Sequence, residues 1–77
     1  MKKIQILGGG CRKCGLLAAN ADRAARELGL SFELEKVTDW GRIASLGVMT
    51  TPALVVDGAI KAAGRVPDLR EMKELLS

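Results

Sequence analysis

Cys11 and Cys14 are the only cysteines in this 77-residue chain, and they stand in the pattern Cys-x-x-Cys. Thiols at that spacing on a helix lie about one turn apart, close enough to close a disulfide and reopen it. The same two sulfurs form a soft donor pair that can hold Cu(I) or share Zn(II) between two chains. A permanent structural disulfide is the weakest use. Closing so short a loop removes only about 2 kcal/mol of chain entropy. The chain has no histidine and no tyrosine, so few other side chains compete for a chemical role.

What surrounds the pair decides how reactive it is. An apolar run closes on Gly8, Gly9 and Gly10, and the residues from about Cys14 to Leu28 read as a helix. A strand, a glycine-rich turn and a helix opening on Cys-x-x-Cys is the sequence form of a redox dithiol. A thiol attacks only as thiolate, and at a pKa of about 8.5 roughly 3% is ionised at pH 7. At a helix N-terminus, Cys11 would meet free N–H groups and the positive end of the dipole, both of which favour the anion. Arg12 and Lys13 add positive charge beside it. A pKa of about 7 would make half of the thiol reactive. Cys14, one turn further in, is expected to be more shielded. The expected division of labour has Cys11 attacking a partner's disulfide and Cys14 resolving the mixed disulfide.

The remaining elements must position this pair. Lys2 to Leu7 alternates as a strand, with Ile4 and Ile6 on one face. Leu17, Ala21, Ala24 and Leu28 mark the buried side of the first helix, and Gly29 is its natural cap. Asp22 and Arg26 make an i,i+4 pair on the wet side. Ser31 to Val37 is a second strand, with Glu33 and Glu35 alternating so that one face is exposed near a sheet edge. Thr38 or Asp39 caps a short helix from Trp40 to Leu46, ended by Gly47. Ala53–Val56 and Ala59–Ala63 are strands joined by Asp57-Gly58, a strong hairpin signal. Pro67 is expected at the first position of a last helix, with Asp68 and Glu71 near its positive end and Leu69, Met72 and Leu76 as its apolar stripe.

The order is β-α-β-α-β-β-α. The class is therefore α/β, with the first two strands parallel by a right-handed crossover and the hairpin antiparallel. A mixed four-stranded sheet with helices on both faces, built from residues 1–77 as one domain, would bury most of these side chains. At 48% hydrophobic and 3% aromatic, the core must come from aliphatic residues and alanines. The net charge of +3 arises from 12 basic and 9 acidic residues. The basic residues are scattered without stacking aromatics, which gives nucleic-acid binding no support. No apolar run approaches the roughly 20 residues that span a bilayer, so no membrane association is expected. Met1-Lys2-Lys3-Ile4 lacks the apolar stretch of a signal peptide, and a cytoplasmic location is the expectation.

Three segments carry a resemblance: Gly8-Gly9-Gly10-Cys11-Arg12-Lys13-Cys14, then Thr50-Thr51-Pro52-Ala53-Leu54-Val55-Val56-Asp57-Gly58, then Gly64-Arg65-Val66. With the order of elements, they resemble the thioredoxin fold over nearly the whole chain. The sequence is most similar to the small thioredoxin-like or glutaredoxin-like redox-active disulfide proteins of prokaryotes. The resemblance implies a cis Pro52 beside the cysteine pair and a Thr51 backbone that pairs with an extended substrate segment. It implies that Gly64 leaves room on that surface for the partner chain. It also implies a thiol–disulfide oxidoreductase without bound cofactor or metal. Its partners would be a disulfide-containing protein substrate and a protein or small-thiol reductant, and nothing requires more than a monomer.

Some features depart from the longer thioredoxins. No aromatic residue precedes Cys11, and Arg12-Lys13 stands where those proteins carry Gly-Pro. Gln5 lies six positions before Cys11, where they have a buried aspartate that assists proton transfer. Gln5 reads as an ordinary strand residue, and Lys61 as a solvated lysine rather than one that influences the thiols. Trp40 is open to packing, surface or substrate roles. Two rival functions remain. Small copper carriers share this length and a similar approach to their cysteines, but their usual order is β-α-β-β-α-β. A redox-inert adaptor using the surface around Pro52 would tolerate loss of Cys11.

Overall fold

The computed structural model describes residues 1–8 and 12–77; Gly9, Gly10 and Cys11 lie outside the described residues. The elements are β1 (Lys2–Leu7), α1 (Arg12–Glu27), β2 (Phe32–Val37), α2 (Trp40–Ser45), β3 (Ala53–Val56), β4 (Ala59–Ala63) and α3 (Leu69–Leu76). They follow the expected order. The strands form one mixed sheet in the order β2-β1-β3-β4. β1 and β2 are parallel, whereas β1–β3 and β3–β4 are antiparallel. β2, with its alternating glutamates, lies at an edge.

Alternation in β1 divides the core between the two faces of the sheet. Ile4 and Ile6 join Leu54, Val56 and Ala62 beneath α1 and α3, where Leu17, Ala18, Ala21, Ala24, Ala25, Met72 and Leu76 are buried. The alanines let α1 approach closely, and larger residues such as Leu17 supply about 1.5–3 kcal/mol each by full burial. The other face holds Leu7, Val37, Ala53 and Val55 under Ile43 of α2 and Val48 after it. Helices thus cover both faces.

The helix boundaries depart from expectation at both ends of α1, at the end of α2 (Ser45, with Leu46 as its cap) and at the start of α3. α1 begins at Arg12, ahead of the expected start near Cys14. It closes in a Schellman arrangement: Gly29, at φ +70°, donates to the Arg26 carbonyl and Leu30 donates to that of Ala25. That geometry leaves Leu28 exposed, against expectation, and packs Leu30 on the core instead. In α3 the cap is Asp68, whose carboxylate accepts from the Glu71 N–H, so Pro67 precedes the helix and does not start it. Pro67 is buried, and its carbonyl accepts from the Asn20 amide of α1 at 3.0 Å. Lys73 of α3 also bridges to Glu27 of α1 at 2.7 Å.

At the start of β1 the chain is stitched by Asp57. Asp57 and Gly58 both take positive φ, as a tight hairpin turn requires. The Asp57 carboxylate accepts from the Lys3 N–H at 2.9 Å, and the Asp57 N–H donates to the Lys3 carbonyl at 2.8 Å.

Candidate active site

The opposite end of β1 brings together most of the residues singled out by the sequence. Gly8 follows the strand, is buried, and donates to the Val37 carbonyl of β2 at 3.0 Å. Cys14 is the third residue of α1 and only 7% exposed. A side chain on Gly8 would collide with the Cys14 Sγ. The same Cβ position lies 3.5 Å from the Cys14 Cβ and 3.8 Å from the Thr51 Cβ. Gly8 is thus the point where the end of β1, the first turn of α1 and the segment before β3 meet.

Thr51 is half-buried and Pro52 buried, and the peptide bond between them is cis. The Pro52 carbonyl accepts from the Gly64 N–H at 2.8 Å. Gly64 has φ +74°, and a Cβ there would lie 3.4 Å from the Thr50 Cβ. These contacts gather Cys14, Thr51, Pro52 and Gly64 at one end of the sheet. Arg12 and Lys13 occupy the exposed first turn of α1, which carries no acidic residue. Cys11, the expected attacking thiol, lies outside the described residues. Lys61 falls where the β3–β4 register shifts; the pairing passes from Leu54–Ala62 to Val55–Ile60 and leaves it unpaired at an exposed bulge.

Gln5 is more than a plain strand residue. It is buried, and its amide donates to Glu35 Oε1 at 3.0 Å across the β1–β2 register. Arg42 of α2 reaches the same carboxylate oxygen at 3.2 Å. The Gln5 hydrogen bond, with Arg42 behind it, holds the Glu35 carboxyl below its ordinary value of 4.5. The buried position six residues before Cys11 is therefore polar and uncharged, and its carboxylate partner sits on the neighbouring strand. Two large apolar side chains also stay in solvent near this end. Trp40 opens α2 and is 60% exposed, and Met49, just before Thr50, is 97% exposed.

The packing of Gly8 against Cys14 was not foreseen in the sequence, where the three glycines read only as a turn. The signal is positional: a glycine directly after a buried strand and just before a helix. The Gln5–Glu35 pair follows from the parallel register Lys2–Phe32, which alternation leaves free to slip by two residues.

Residues 2–77 match the family model for a thioredoxin domain. Over 77 residues, covering all of both chains, the sequence is 44% identical to a protein named thioredoxin from Methanothermobacter thermautotrophicus. It is 41% identical over 76 residues to a thioredoxin of Methanocaldococcus jannaschii, covering 99% of this chain and 87% of that one.

Proposed function

Because this chain belongs to the thioredoxin domain family, we propose that it is a thiol–disulfide oxidoreductase cycling Cys11 and Cys14 between dithiol and disulfide. The observation that carries this reading is the place of Cys14. Its sulfur is buried against Gly8 in the first turn of α1, and Cys11 stands three residues earlier in the sequence.

In the reducing direction the Cys11 thiolate attacks one sulfur of a partner disulfide. A Cys11–partner S–S bond forms, and the other partner sulfur leaves as thiolate. Cys14, as thiolate, then attacks the Cys11 sulfur. The mixed disulfide breaks, the Cys11–Cys14 bond forms, and the second partner sulfur departs. Two electrons pass from the dithiol to the partner, and the protons of Cys11 and Cys14 end on its two thiols through water. A protein or small-thiol reductant returns the pair to the dithiol, so no bound cofactor is needed.

The surroundings serve these steps. Arg12 and Lys13 lie beside the pair in sequence and favour the thiolate over the thiol. An extended substrate segment would pair with the Thr51 backbone next to Pro52, and Gly64 keeps the adjoining surface free of a side chain. The partner class is a disulfide-containing protein, acted on by a monomer in the reducing cytoplasm. No described helix is long and apolar enough to cross a membrane.

The test is to trap the mixed disulfide. Cys14→Ser, mixed with a disulfide-containing protein, is expected to accumulate a covalent complex through Cys11 that dithiothreitol dissolves, whereas the wild type turns over. Equal residual activity in Cys11→Ser and Cys14→Ser would remove this assignment of roles. A soft-metal carrier using the same thiols would form no such complex.

A further inference from the structure

We infer that Gly8 is a positioning residue for the exchange reaction: the space left by its missing side chain fixes the rotamer of Cys14 and hence the approach of its sulfur to the mixed disulfide. The inference rests on the thiol-exchange reading above. Its basis is geometric. A Cβ on Gly8 would overlap the Cys14 Sγ, while remaining 3.5 Å from the Cys14 Cβ and 3.8 Å from the Thr51 Cβ, both ordinary contacts. The conflict therefore falls on the sulfur alone and not on the backbone of either segment.

Cys14 lies inside α1, where one of the three staggered χ1 positions is disfavoured because it points into the preceding turn. With two rotamers in practical use, a methyl at position 8 would remove the occupied one and force the sulfur to turn. Gly8 itself is fixed by its hydrogen bond to Val37 and cannot easily retreat. The reaction it governs is the second exchange: Cys14 S⁻ attacks the Cys11 sulfur, the Cys11–partner bond breaks, and the partner leaves as thiolate. In-line attack at sulfur is sensitive to the direction of approach, so turning Sγ slows this step and spares the first.

The experiment uses Gly8→Ala in the full chain, with Gly15→Ala as control, because a Cβ on Gly15 meets nothing within 4 Å. Gly8→Ala is expected to form the mixed disulfide at the wild-type rate but to release the partner at least tenfold more slowly. Gly15→Ala should form the mixed disulfide and release the partner, both at wild-type rates. Thermal unfolding of Gly8→Ala in wild-type and Cys14→Ala backgrounds separates the sulfur from a general packing defect. Loss of stability in the first background and its absence in the second is the expected result. Wild-type release by Gly8→Ala, or equal destabilisation in both backgrounds, would overturn the inference. If the wild type exchanges no disulfide, the proposed function fails by itself, and the stability comparison still decides whether Gly8 seats the Cys14 sulfur.

Discussion

The two ends of β1 are closed in opposite ways. Where the strand begins, charged and backbone groups do the work. Asp57 takes the Lys3 N–H on its carboxylate and returns its own N–H to the Lys3 carbonyl, and the Lys2 ammonium lies 3.7 Å away. Where the strand finishes, small and apolar groups do it. Gly8 packs on the Cys14 sulfur, Thr51 approaches the same point, and the Pro52 carbonyl holds Gly64. The first end is a hairpin whose polar groups satisfy one another and leave nothing for chemistry. The second keeps the buried Cys14 sulfur against a position where a side chain would collide with it. A domain this small can devote one end to closure and leave the other for the proposed exchange because the core lies between them, on the two faces of the sheet.

The widest separation between the ends is expected from Cys11→Ser. Disulfide reduction should fall to the uncatalysed background while circular dichroism reports an intact fold. Retained turnover would move the chemistry away from this end, toward an adaptor or another nucleophile. Asp57→Ala probes the opposite end. Alanine at φ +51° costs about 1–2 kcal/mol, and the Lys3 N–H loses its carboxylate partner. Unfolding should occur at a lower temperature while the exchange rate below the transition is unchanged. A slowed exchange would show that the two ends are coupled through β1.

The smallest effect is a pH dependence at the middle of the strand. Glu35 is held below 4.5 by Gln5 and then Arg42. A carboxyl whose folded pKa is depressed adds stability above its unfolded value and loses it as the pH falls through the folded one. The wild-type melting temperature should therefore fall more steeply below about pH 4.5 than that of Glu35→Gln. Parallel slopes would mean that the link from β1 through β2 to α2 contributes nothing.

Much of this arrangement was legible in the chain. β1, β3 and β4 occupy the expected residues because alternation and the Asp57-Gly58 turn bound them on both sides. Of the segments assigned to the proposed site, Cys11-x-x-Cys14 stood out through residue type and spacing, and Thr50-Thr51-Pro52 through the family resemblance. Helix starts were less legible. No Ser, Thr, Asp or Asn precedes α1 to mark a cap, and Asp68 capped α3 where proline suggested an earlier start. Leu28, expected on the buried side, faces solvent, and Leu30 packs on the core instead, because the turn at Gly29, and not helical periodicity, sets which of them faces inward. The contacts of Gly8 and Gln5 depend on tertiary approach, which spacing along one strand does not contain.

The most direct measurement is a redox titration of the metal-free protein in dithiothreitol buffers, with thiols trapped and counted by intact mass. The account predicts a reversible two-electron closure of Cys11 and Cys14 within one chain, with a midpoint between about −300 and −180 mV. A pair that forms no intramolecular disulfide across that window would contradict it and leave soft-metal transfer as the use of the two thiols.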